Sequence, residues 1–112
     1  MRIGCDLVHI ERFIVSMHAG GPLFLEKIFT TSELAGSPNV SHLAGLFAAK
    51  EAIAKAVGRA PYSWHAIIID HEPSGRPVVY LARDYSNAHA EVSISHDGQY
   101  ACACALIQNH KE

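Results

Sequence analysis

At 112 residues, 49% apolar and 18% charged, the chain has the size of one domain, residues 1–112, with a modest core that self-association would supplement. A formal net charge of -2 excludes a general nucleic-acid binder, which needs a basic field. No apolar run approaches the ~20 residues of a membrane span, and Asp6 and Glu11 stand where a secretion signal would be apolar, so the expected location is the cytoplasm.

Arg2 to Val8 reads as a short strand. His9 to Met17 places Ile10, Phe13, Ile14 and Met17 on one face of a helix, and Gly20-Gly21-Pro22 ends it. Leu23 to Ile28 forms a short helix. Thr30-Thr31-Ser32-Glu33 is a capping-box pattern that starts another turn. Ser37-Pro38-Asn39 makes a break before a long helix from about Asn39 to Val57. Leu43, Phe47, Ile53, Ala54 and Val57 form its apolar stripe, and Gly58 is its stop. Ala66 to Asp70 reads as a buried strand, Ser74-Gly75 as a turn and Val78 to Leu81 as the hairpin partner. Asp84 to Ala90 reads as a helical turn. Val92 to Ser95 alternates apolar and hydroxyl residues, Asp97-Gly98 marks a two-residue hairpin loop, and Tyr100 to Ile107 completes the last strand. Cys102 and Cys104 alternate with alanine there and are expected to be small core hydrophobes. Helices mixed with hairpins give an α+β fold.

Chemistry concentrates in Phe47-Ala48-Ala49-Lys50-Glu51-Ala52-Ile53-Ala54-Lys55. Glu51 and Lys55 are one helical turn apart, so a carboxylate and an ammonium share a face about 6 Å apart along the axis. A magnesium–phosphate site needs that pairing: oxygen for a hard cation, a point charge for phosphate oxygens. From spacing alone, an ordinary i,i+4 ion pair is the simpler reading. Asp6, near the end of the first strand, is by itself a turn or cap residue. If Asp6 and Glu51 converge they form a two-carboxylate site. Magnesium favours that number because it keeps waters and borrows phosphate oxygens from substrate. Ser95-His96-Asp97 invites comparison with a hydrolase triad, but neighbours on a strand point to opposite faces, so Ser95 and His96 cannot act as nucleophile and base. The other histidines show no paired spacing and are expected at the surface.

Three blocks occur in order: Met1-Arg2-Ile3-Gly4-Cys5-Asp6-Leu7-Val8-His9-Ile10-Glu11-Arg12, the helix around Lys50-Glu51, and Val92-Ser93-Ile94-Ser95-His96-Asp97-Gly98-Gln99-Tyr100-Ala101. Together with Glu26 to Leu34 and Ser74-Gly75-Arg76-Pro77, they resemble the holo-acyl-carrier-protein synthases, the small type of 4′-phosphopantetheinyl transferase. The resemblance implies that family's α+β fold, one long helix packed on a small antiparallel sheet, associating as a homotrimer with sites between subunits. It implies transfer of 4′-phosphopantetheine from coenzyme A to a serine of an acyl carrier protein, releasing adenosine 3′,5′-bisphosphate. Asp6 and Glu51 would hold Mg2+. Lys55 would neutralise the pyrophosphate, and Glu51 would take the serine proton. Lys50, Ser95 and His96 become coenzyme A-binding candidates, and Arg12 a carrier-docking candidate. The alternative is a non-catalytic paralogue that binds coenzyme A or a nucleotide without transfer.

Three departures from the family pattern stand out. Leu46 occupies a position that is commonly arginine, and His18 to Leu23 lacks the usual basic residues. Arg59-Ala60-Pro61-Tyr62-Ser63-Trp64 replaces a Gly-rich loop, and the helix before the last hairpin is cut down to the stretch around Asp84 to Ala90. Fewer charges on the docking side imply a carrier interaction that is less electrostatic.

Overall fold

The structure is a computed structural model that describes residues 1–109. Its elements run β1 (Arg2–His9), α1 (Ile10–Gly20), α2 (Pro22–Ile28), α3 (Thr31–Ala35), α4 (Val40–Val57), a 3-10 turn (Trp64–Ala66), β2 (Ile67–His71), β3 (Pro77–Leu81), β4 (Ala88–Asp97) and β5 (Tyr100–Asn109). The first sheet is antiparallel with order β1-β5-β4, and β2 and β3 pair as a separate hairpin. The long helix α4 lies across β1, β5 and β4, giving the expected α+β arrangement.

Small residues set the distance between α4 and the sheet. Ala44, Ala48, Ala49, Ala52 and Ala56 are buried on the helix, and Ala101, Ala103 and Ala105 are buried on β5. Gly4 on β1 takes this furthest. A Cβ built there would lie 2.0 Å from the Ala52 carbonyl oxygen and 2.9 Å from the Ala56 nitrogen. The strand and helix backbones are therefore in direct contact, a placement that only glycine permits. α4 is closed at both ends by side-chain and backbone caps. The Asn39 side chain accepts from the His42 N–H at 3.0 Å, and Gly58 ends the helix in the left-handed region at φ 97°.

Several expectations are corrected by the fold. The helix is buried on more than one stripe, because it packs against the sheet through alanine and against α1 and Trp64 through Phe47. Cys102 and Cys104 do not face the core; the alanines between them do. Cys104 is exposed on the outer face of the sheet, opposite Cys5, with the sulfurs 3.7 Å apart. The period of two was read correctly but assigned to the wrong face, since both alanine and cysteine are small enough to be buried. The segment from Asp84 is a hydrogen-bonded turn closed onto Ala82, and β4 already begins at Ala88. The last hairpin loop is Gly98-Gln99, one residue later than expected. Asp97 pairs with Tyr100, and Gly98 supplies the positive φ of 58° at the first loop position.

The segment after α4 is fastened to the turn before β4. The Arg59 guanidinium stacks over Tyr85 at 5.3 Å and donates to the Tyr85 carbonyl, while the Tyr85 hydroxyl donates to the Arg59 carbonyl at 2.8 Å. Tyr62 adds a hydrogen bond to Asp84 at 2.9 Å.

The close β1–α4 approach makes a direct prediction. Gly4→Ala forces backbone apart from backbone, so chemical denaturation should show a loss of about 3 kcal/mol. A loss within ordinary surface scatter would mean that the seam is looser than described.

Candidate active site

The approach at Gly4 delivers the next inward residue of β1, Asp6, to the side of α4 that carries Glu51 and Lys55. The Lys55 ammonium donates to Asp6 Oδ1 at 2.9 Å and to the Cys5 carbonyl at 3.1 Å. The Asp6 side chain is 15% exposed and that of Lys55 57%, so the carboxylate is recessed while the cation stays at the mouth. Glu51, one turn before Lys55, is half-buried. Burial pushes its carboxyl above the usual range, the Asp6 charge raises it further, and Lys55 partly offsets this. Lys55 is raised in turn, first by its hydrogen bond to Asp6 and then by the Asp6 charge. The two acids thus feel one another across a small polar niche.

That niche has the chemistry for one hard divalent cation. Two repelling carboxylates gain from a cation between them, and magnesium is held by one or two carboxylates plus substrate phosphates. Among the described residues no group of three or more His, Cys, Asp or Glu side chains forms a self-sufficient metal cage. The donor set fits an ion shared with a phosphate ligand.

Lys50 is not at this niche. It is 0% exposed, and its ammonium donates to the Ile28 carbonyl at 2.7 Å, to Glu33 Oε1 at 2.8 Å and to the Trp64 carbonyl at 3.3 Å. All three protons are committed inside the protein, so the expected coenzyme A contact is replaced by a structural one. Burial lowers its pKa, and Glu33 draws it back up. Glu33 is itself fully used. It closes the capping box through the Thr30 N–H at 2.8 Å and accepts from the Ile69 N–H at 2.8 Å. The capping box was visible in the sequence, but the partner 17 residues away was not.

His96 and Ser95 lie on β4, separated from β1 by β5. Ser95 is exposed on the outer face. His96 opens on the other side, into a cavity of about 540 Å³ shared with His42, Asp70 and His71. Within this chain the structure does not bring His96 to Asp6 and Glu51. Arg12 is exposed on α1 at the rim of a cleft of about 500 Å³, whose walls include Leu7, Phe13, Phe24, Phe47 and Tyr100. The grouping of His42, His71 and His96 had no signal in the sequence, because the three stand on α4, β2 and β4. No helix among the described residues is long and apolar enough to cross a membrane.

Known proteins share both sequence and shape with this chain. Residues 2–105 match the model of the 4′-phosphopantetheinyl transferase superfamily. A holo-[acyl-carrier-protein] synthase of Chlorobaculum parvum is 39% identical over 116 residues, covering 96% of this chain and 98% of the relative. The crystal structure of the Helicobacter pylori holo-[acyl-carrier-protein] synthase in complex with coenzyme A superposes with a TM-score of 0.88 at 32% identity, covering 95% of this chain and 99% of the other. A Bacillus anthracis holo-(acyl-carrier-protein) synthase in complex with CoA (3′,5′-ADP) gives 0.82 at 28% identity, with 96% of each chain covered.

The two lysines of this helix should respond differently to removal. Lys50→Ala leaves the Glu33 charge buried without a partner and should cost about 3–5 kcal/mol in denaturant unfolding. Lys55→Ala should leave the unfolding midpoint within scatter. Equal stability of the two variants would contradict these positions.

Proposed function

The chain belongs to the 4′-phosphopantetheinyl transferase superfamily, and from that membership we propose that it transfers 4′-phosphopantetheine from coenzyme A to a serine of an acyl carrier protein. One observation carries the mechanism: Asp6, Glu51 and Lys55 meet at a single half-exposed niche. The carrier serine oxygen attacks the pantetheine-side phosphorus of coenzyme A. The bond from that phosphorus to the bridging oxygen breaks, and adenosine 3′,5′-bisphosphate leaves with the electron pair. Such a transfer needs positioning and charge neutralisation more than a protein nucleophile.

The residues divide that work. Lys55, anchored by Asp6 and the Cys5 carbonyl, points its exposed ammonium at the diphosphate. Glu51 takes the serine proton, its carboxylate lying near Asp6 and one helical turn before Lys55. Asp6 and Glu51 would hold Mg2+, which supplies charge neutralisation at the phosphoryl oxygens when bound.

We further propose that the working unit is a homotrimer with shared sites. The β1–β5 part of the first sheet's outer face is apolar: Ile3 is 73% and Leu7 62% exposed, beside Cys5, Cys104 and Leu106. Uncovered apolar faces of this kind mark association surfaces. Association would let His96 and Ser95 of one subunit close over coenzyme A held at the acids of another. Arg12, at the rim of its apolar cleft, is the docking contact for the carrier. The exposed Val15, which shares a surface recess with Arg12, agrees with a dock that relies less on charge.

One mass-spectrometric experiment tests transfer and sharing together. Coenzyme A, Mg2+ and wild-type protein should add about 340 Da to an apo carrier protein. Asp6→Asn and His96→Ala should each lose most of that activity, and mixed chains should recover part of it through sites pairing intact Asp6 with intact His96. Absence of the mass shift with wild type contradicts transfer; mixtures that stay inactive contradict sharing.

A further inference from the structure

All three cysteines of the chain lie on the outer face of the first sheet. Cys5 on β1 and Cys104 on β5 are register partners, and the Cys104 thiol donates to the Cys5 sulfur at 3.7 Å. Both side chains are exposed, and all three thiols are free. Cys102, half-buried, stands two residues earlier on β5, where it faces Leu7.

The register selects one bond among the three that could be drawn. Residues directly opposite on antiparallel strands have Cα atoms about 4.5 or 5.5 Å apart, according to their place in the ladder, and a disulfide bridges about 4.4–6.8 Å. Cys5 and Cys104 meet that condition. Cys5 and Cys102 are diagonal neighbours, about 7–8 Å apart and outside it. Cys102 and Cys104 are alternate residues of one strand, so their side chains run parallel and do not converge. The facing pair needs its sulfurs to close from 3.7 Å to the ~2.05 Å of a disulfide, a movement that side-chain rotation supplies. The backbone around it is already fixed. β1 is laddered to β5 along its length, Gly4 seats it on α4, and the Cys5 carbonyl accepts from Lys55 at 3.1 Å.

We propose that Cys5 and Cys104 are a dithiol site that closes to a cross-strand disulfide by exchange with a low-molecular-weight disulfide. One cysteine thiolate attacks a sulfur of the incoming disulfide, forms a mixed disulfide and expels one small thiolate. The facing cysteine, deprotonated in turn, attacks the cysteine sulfur of that mixed disulfide. The Cys5–Cys104 bond forms and the second small thiolate leaves. The pair gives up two electrons, which reduce the small disulfide, and the two cysteine protons end on the released thiols. The new bond ties the first strand to the last, 99 positions apart in sequence. Under reducing conditions the pair is open, and it closes as small disulfides accumulate, the behaviour of a redox-sensing dithiol. The inference stands on the β1–β5 register and needs neither the substrate reading nor the trimer. Where another copy covers this face, the exchange takes place on the separate chain.

Thiol counting and non-reducing peptide mapping of the intact protein test this, after incubation with oxidised glutathione at several protein concentrations. Thiols open to alkylation should fall from three to one, with the Cys5 and Cys104 peptides joined and the chain lighter by two hydrogens. The midpoint of chemical unfolding should rise on closure and return when dithiothreitol reopens the bond. Cys5→Ala and Cys104→Ala should each stop at the mixed disulfide with glutathione, and Cys102→Ala should close as the wild type does. The wild-type map decides the matter even where a variant fails to fold. Three alkylated thiols at every protein concentration, a bridge that uses Cys102, or bridges only between chains overturn the inference. So does a lower unfolding midpoint after closure, which would mean that the native strands do not accept the bond.

Discussion

A missing methyl group governs this molecule. Gly4 lets β1 lie with its backbone against that of α4, where a side chain would meet the Ala52 carbonyl at 2.0 Å. From that contact the chain has little freedom. The next inward position of β1 is Asp6, and the facing turn of the helix offers Glu51 and Lys55. The alanines of α4 and β5 continue the same thin seam across the sheet, and at Gly45 a would-be Cβ would meet the Ile94 side-chain methyl at 2.9 Å. Polar groups that repel one another are held together because the apolar packing beneath them leaves no other arrangement.

The rotation of α4 about its axis matters as much as its distance from the sheet, and the opposite flank of the helix fixes it. Lys50 reaches α2, α3 and the turn before β2 through three hydrogen bonds, and Glu33 adds the start of α3 and the β2 backbone. A buried ion pair is costly unless every partner is satisfied. Here no buried side-chain nitrogen or oxygen among the described residues lacks a partner. Adjacent residues on a helix point about 100° apart, so anchoring Lys50 inward turns Glu51 toward β1. The neighbouring Lys and Glu therefore have separate surroundings, one holding the helix to Glu33 and the other turned toward Asp6.

Local signals carried much of this architecture. The span of α4, the capping box at Thr30–Glu33, the β2–β3 hairpin and the convergence of Asp6, Glu51 and Lys55 all follow from spacing, caps, turns and family blocks. What escaped depends on partners distant in sequence. Lys50 resembles any other lysine in a helix until Glu33 is folded beneath it. The Ala/Cys alternation of β5 has the right period for either face, and only the bulk of α4 decides that alanine lies inward. The histidine cluster joins α4, β2 and β4, so no window of sequence contains it. The start of β4 was hidden because the Tyr85 turn, held by Arg59, has the composition of a helical turn.

Membership of the transferase superfamily gives these positions a purpose. One seam brings two acids and an ammonium together, a second cavity opens on the far side of β5, and the β1–β5 part of the outer sheet face carries exposed apolar side chains. The central claim is that Asp6 and Glu51 act on a single divalent ion together with coenzyme A. Electron paramagnetic resonance of Mn2+, standing in for Mg2+, tests it most directly. With coenzyme A present, the ion should bind once per chain, and the signal should return to that of free Mn2+ in folded Asp6→Asn or Glu51→Gln. Unchanged Mn2+ binding in either variant would contradict the account.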